Sequence, residues 1–133
     1  MRDLVKLQTA ILLRRFAYEV GHAAKSQNTD AVHDLRIAIR RLDNCLRLFA
    51  LFYPRHSAKR IRRRLDGLVQ LAGAIRDFDV ALDLLAKGGM SPRSLLAARL
   101  REERRKTSHR LARELRLWKT LAFSRKWRSR LDL

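Results

Sequence analysis

"AVHDLRIAIRRLDNCLRLF", residues 31–49, carries two patterns at once. On a wheel turning 100° per residue, Leu35, Ile39, Leu42, Leu46 and Phe49 fall within about 40° of Leu35. That narrow apolar stripe must be buried, which makes the stretch a helix packed against others. His33, Arg36, Arg40 and Arg47 gather on nearly the opposite side, within about 60° of one another, and Arg41 sits off that line. One helix thus offers a core stripe and a ladder of cations whose adjacent rungs lie about 5–10 Å apart along the axis.

Helical periodicity extends over nearly the whole chain, and no strand pattern interrupts it. Helices are predicted over about 3–25, 30–52, 57–85 and 92–120, followed by a short basic helix or tail, "FSRKWRSRLDL". The mostly apolar face of the first is marked by Leu4, Leu7, Ile11, Leu12, Arg15, Tyr18 and Val20. "SQNTD" breaks it, with Thr29 or Asp30 expected to cap the next helix. Pro54 stops the second helix near Tyr53. The third carries Ile61, Leu65, Leu68, Ala72 and Ile75 at three-four spacing and continues through Phe78 and Leu82 to Leu85, with Gly67 and Gly73 as candidate bends.

"KGGMSP" is the clearest punctuation. Gly88 or Gly89 is expected to end a helix in the left-handed conformation, Ser91 to cap the next, and Pro92 to enter its first turn. Leu96, Leu100, Thr107, Leu111, Leu115 and Trp118 mark the face of the fourth helix. The expected fold is all-α: one antiparallel four-helix bundle over residues 1–133 with a short C-terminal helix or tail, and no internal repeat.

The chain has 133 residues, the size of one domain, and its 47% hydrophobic content excludes disorder despite the charge. Lys and Arg number 31 against 13 Asp and Glu, a formal +18. A compact body so charged repels itself, and nucleic acid, an anionic membrane surface and polyphosphate are the partners that would relieve it. Cys45 is the single cysteine, which fits a reducing compartment and a half-buried packing role. No apolar run approaches the roughly 20 residues of a membrane span. The first residues lack a signal peptide's apolar core, so the reading is a cytoplasmic protein.

Only Asp43, at its edge, offsets the ladder. "KRIRRR", residues 59–64, adds further cations. Like charges at helical spacing each cost a few tenths of a kcal/mol, a repulsion that an extended anion would reverse. Neither His33 nor His22, His56 and His109 sits in a metal-ligand pattern, and His33 has no nucleophile partner, so neither cofactor nor catalysis is expected. Asp77 beside Arg76 reads as a helix-positioning ion pair, and Asp79 continues the inward line after Ile75. Trp118 reads as core, whereas Trp127, amid basic residues, is left open.

The string VHDLRIAIRRLDNCLRLF resembles the signature helix of the CHAD family, the conserved histidine α-helical domain. The matching positions are His33, Arg36, Arg40 and Arg41, then Leu42 and the closing Leu48–Phe49. A second similar string, "LVQLAGAIRDFDVALDLL", places Gly73, Arg76, Asp77, Asp79 and Val80 in the family's G-x-x-R-D-x-D-V pattern. The resemblance implies a helical domain that binds inorganic polyphosphate or related phosphorylated polyanions. Its site here would be His33, Arg36, Arg40, Arg41 and Arg47, supported by Lys59, Arg60, Arg62, Arg63 and Arg76. Asp43 departs from the family, which usually has another basic residue there.

CHAD domains resemble a tandem of two bundles, and this chain carries one signature; "TSHRLARELRLW" lacks the second. The expectation is a homodimer whose twofold axis replaces the family's pseudo-twofold. Other readings remain alongside the polyphosphate module. A nucleic-acid-binding protein would use the same arginines on phosphates. An enzyme would have to use Asp77, Asp79 and Glu102–Glu103. A membrane-surface role would rest on Phe123, Trp127 and Leu131. With polyphosphate as ligand, association with polyphosphate granules is a further expectation.

Overall fold

A computed structural model describes residues 1–133, and the chain is helical throughout. Its elements are α1 (Arg2–Lys25), α2 (Thr29–Leu48), α3 (Arg55–Lys87), α4 (Leu95–Thr120) and α5 (Phe123–Arg130). A 3₁₀ turn, Ala50–Phe52, joins α2 to α3. α1 packs on α2 and α4, and α3 packs on the same two, so four antiparallel helices close a square around one core. α5 folds back across the end of the square onto α1, α3 and α4. No helix is long and apolar enough to cross a membrane.

Local chemistry sets the boundaries. Asn28, one residue before the expected caps, starts α2 by accepting from Ala31 N at 2.8 Å. α2 stops at Leu48, before the predicted end, because the chain tightens into the 3₁₀ turn as it approaches Pro54. α3 runs unbroken through Gly67 and Gly73. It ends as expected at Gly89, whose φ of +83° lets Met90 N reach Leu85 O at 3.0 Å. Ser94 rather than Ser91 caps α4, accepting from Ala97 N at 3.1 Å. Pro92 accordingly lies in the loop.

The core follows α2, and α3 as far as Ile75, as their periodicity predicts: Leu35, Ile39, Leu42 and Leu46 interleave with Ile61, Leu65, Leu68, Ala72 and Ile75. Phe49, Phe78, Leu82 and Leu85, expected to continue these stripes, are only partly buried. α1 differs. Its buried face is Val5, Thr9, Leu13, Phe16, Glu19, Val20 and Ala23–Ala24, while Leu4, Leu7, Ile11 and Tyr18 are 52–64% exposed. The helix has two opposite apolar faces, and the expected face is mainly the outer one. α4 shows the same exchange before Leu111: Leu96 is exposed, and the small Ala97 and Ser108 face inward instead. From Leu111 onward the prediction holds, with Leu111, Leu115 and Trp118 buried.

Trp127, left open by the sequence, is fully buried. It stacks on Phe16 at a centroid distance of 5.9 Å and meets Trp118 and Phe123 edge-on at 5.3 and 5.1 Å. The reversal that brings it there passes through Ala122 in the left-handed conformation, φ 51°. Phe123 and Leu131 are also buried, so the three side chains on which a membrane-surface role would rest are turned into the core.

Two polar features complete the interior. Thr9, Cys45 and Tyr53 meet in one buried cluster, with the two hydroxyls 2.6 Å apart and Cys45 Sγ 3.5 Å from each. Cys45 is thus buried rather than half-buried. Burial first, and the Cys45 contact second, push the Tyr53 phenol well above its ordinary value, with Thr9 opposing. Glu19 is buried at 2% exposure and pairs with Arg15 at 3.2 Å through one oxygen, leaving the other without a partner.

The square of four helices ends at a staple. Arg104 on α4 binds Asp79 on α3 and also donates to Gln27 O at 2.9 Å, while Thr29 donates to Asp79 at 3.2 Å. Asp79 thus faces inward as expected. Asp77 and Arg76 are exposed and make no ion pair, contrary to the sequence reading. Beyond this level only α3 and α4 continue, and no residue between Ile75 and Ala97 is buried.

Candidate functional site

α2 and α3 lie antiparallel with a groove of about 470 Å³ between them. Its apolar floor is Ile39, Leu65 and Val69, part of the stripes that hold the helices together. Its walls carry Arg40 from α2 and Lys59, Arg62 and Arg63 from α3, against Asp43 and Asp66. Arg62 Nε donates to Asp43 Oδ1 at 2.9 Å, so the acid that interrupts the basic series orients one guanidinium. Asp66 accepts from Gln70 at 3.3 Å. Arg40, Lys59 and Arg63 make no ion pair.

The remaining sequence candidates fall into two groups. His33, Arg36 and Arg47 share the Arg40 edge of α2 by helical spacing, so the ladder continues past both ends of the groove. Arg47 Nη2 lies 3.5 Å from Asn44 Oδ1, a weak contact along the same helix. Arg41 is turned to the other side of α2, where a shallow cleft of about 130 Å³ is shared with Arg15, Asp34 and Ile37. Arg60 and Arg76 are exposed on α3, and neither lines this groove. The ten candidates therefore do not converge on one point: four line the groove, three extend it, and three lie elsewhere.

The charge excess is not spent internally. Seven of the 31 lysines and arginines have an acid within ion-pair distance. Three of those pairs, Lys87–Asp83, Arg105–Glu102 and Lys106–Glu103, are exposed contacts within one helix, a kind that contributes little stability. Hydrogen bonding to Arg105 lowers the Glu102 carboxyl, as expected for such a pair. No three His, Cys, Asp or Glu side chains cluster as a metal site would require. What the groove can do is grip oxyanions: guanidinium groups offer paired donors, and helix-borne side chains stay separated without ligand.

The CHAD domain family model matches residues 8–132. The chain belongs to the CHAD family. The match covers both strings that carried the resemblance and all five helices of this CHAD domain, α1 from its second turn onward. No curated protein and no solved structure matches the chain.

Sequence reasoning missed Arg110, which together with Arg64 lines a second groove between α3 and α4. Arg64 sits in the quoted basic run, but only the packing of α4 shows that it leans over Trp118, its Cζ 4.6 Å from a ring centroid.

Proposed function

We propose that this CHAD domain is a binding module for inorganic polyphosphate, held in the α2/α3 groove by Arg40, Lys59, Arg62 and Arg63 and along α2 by His33, Arg36 and Arg47. One observation carries the reading: a groove whose cations outnumber its acids, on a chain that leaves most of its charge unpaired. A repeating anion matches repeated guanidinium groups, and the +18 body favours its approach. Family membership supports the same ligand. The function is binding rather than catalysis, with no cofactor, in the cytoplasm, where bound polymer would draw the domain to polyphosphate granules.

Pairing of two copies is part of the proposal. Leu4, Ile11 and Tyr18 recur every seven residues on the outer face of α1, with Leu7 between them, a spacing that suits helix-to-helix packing. Two bodies at +18 repel, so pairing is expected to strengthen when a polyanion spans both. The solution mass should rise on adding polyphosphate, and a mass that stays monomeric while the polymer binds tightly refutes the pairing.

The test of the binding function is a competition titration at near-physiological salt. Labelled long-chain polyphosphate is displaced by unlabelled polymer or by single-stranded DNA at equal phosphate concentration. Polyphosphate should compete at least about tenfold better, because generic charge alone would treat the two alike. Equal competition would make the groove an unspecific cation and nucleic acid the partner.

A further inference from the structure

Arg63 belongs to two grooves. On one side of α3 it lines the groove shared with α2; on the other it lines a groove of about 600 Å³ shared with α4. The α3 residues lining this second groove run from Arg63 to Phe78, about 22 Å of helix. Its other cations are Arg64 and Arg110, and none of the three has an acid within ion-pair distance. Glu114 lines the groove but is engaged, accepting from Trp118 Nε1 at 3.1 Å. Arg64 is braced over the Trp118 ring and makes no hydrogen bond to the protein, so its donors are positioned and unspent.

We infer that the α3/α4 groove is a second phosphate subsite, and that one long polyanion passes from the first groove to the second over Arg63. This rests on the polyphosphate reading above. The path turns across the crest of a helix about 10 Å wide, which requires a thin and flexible polymer. Duplex DNA, with a persistence length of about 50 nm, cannot follow it. Two subsites on one rigid helix make the second contact intramolecular once the first is made, so affinity should depend on chain length.

The experiment compares tripolyphosphate with long-chain polyphosphate on the whole chain, using Arg64→Gln with Arg110→Gln. As a control, Arg113→Gln with Arg116→Gln removes the same charge from exposed positions of α4 outside both grooves. Long-chain affinity should fall about tenfold or more in the groove pair while tripolyphosphate binding changes little, and the control should keep most of the long-chain affinity. The slope of log affinity against log salt should become shallower by about two in the groove pair. Arg110→Gln alone, an exposed side chain without a packing role, should give a smaller effect in the same direction. Equal losses in the groove and control pairs would overturn the second subsite. So would an unchanged chain-length dependence in the groove pair, with Arg40→Gln and Lys59→Gln abolishing binding; the first groove would then stand alone. A wild-type chain that fails to bind long polyphosphate at near-physiological salt would remove both readings.

Discussion

Arg104 and Asp79 meet through two parallel hydrogen bonds, Nε to Oδ1 at 2.5 Å and Nη2 to Oδ2 at 3.2 Å. Both side chains are mostly buried, and Arg104 reaches on to the α1–α2 connection. Removing one partner leaves the other charge half-desolvated. Arg104→Ala should therefore cost about 2–3 kcal/mol, somewhat less than a fully buried pair would. Urea unfolding of Arg104→Ala, Asp79→Ala and the double variant checks it: the double should cost clearly less than the sum of the singles.

Arg40 and Arg41 are neighbours in sequence and face different helices. Arg40→Ala with Lys59→Ala should weaken polyphosphate binding about tenfold or more at moderate salt, whereas Arg41→Ala should do much less. Neither change touches the core, so thermal melting should stay close to wild type. Equal losses from Arg40→Ala and Arg41→Ala would remove the groove as the binding locus.

Tyr53 gives the fold an alkaline limit. Its phenol is raised in the folded state, so between the ordinary value near 10 and the raised one the native chain holds a proton that the unfolded chain has lost. Stability is then fully present below about pH 10 and falls as pH rises further. Tyr53→Phe should flatten that alkaline decline, while costing about 1 kcal/mol at neutral pH through the lost contact with Thr9. Urea titrations at pH 7, 10 and 11 would show both effects.

The two faces of α1 predict opposite outcomes for one residue type. Leu13→Ala empties a fully buried site and should cost about 2–5 kcal/mol. Leu7→Ser, on the outer face, should change the stability of the single chain by less than about 0.5 kcal/mol. If copies pair through this face, Leu7→Ser should also lower the solution mass in the presence of polyphosphate.

How far the sequence could be read follows from how many faces of each helix are apolar. α2 has one, so Leu35, Ile39, Leu42 and Leu46 were legible as core, and the cations opposite them followed. α1 has two, and periodicity alone cannot say which one meets the bundle; Leu4 and Leu7 fit a stripe as well as Val5 and Thr9 do. In α4 the inward positions before Leu111 are Ala97 and Ser108, whose small size gives little signal beside Leu95 and Leu96. Trp127 was illegible because its neighbours are basic, and its burial depends on a left-handed Ala122 that no local preference announces. The site was legible as a helix edge, with Arg41 off its line, but not as a groove: that Asp43 would take Arg62 depends on where α3 packs.

Past the Arg104–Asp79 level, α3 extends eight residues to Lys87, about 12 Å, with only the first turns of α4 beside it. Unfolding this tip exposes no fully buried side chain of α3, so its amides should exchange long before those of the bundle. The Gly88–Met90 turn is therefore the natural place to graft a tag, a fluorophore or an extra loop. Such an insertion would leave both cationic grooves intact and would give a handle for following the domain in binding experiments.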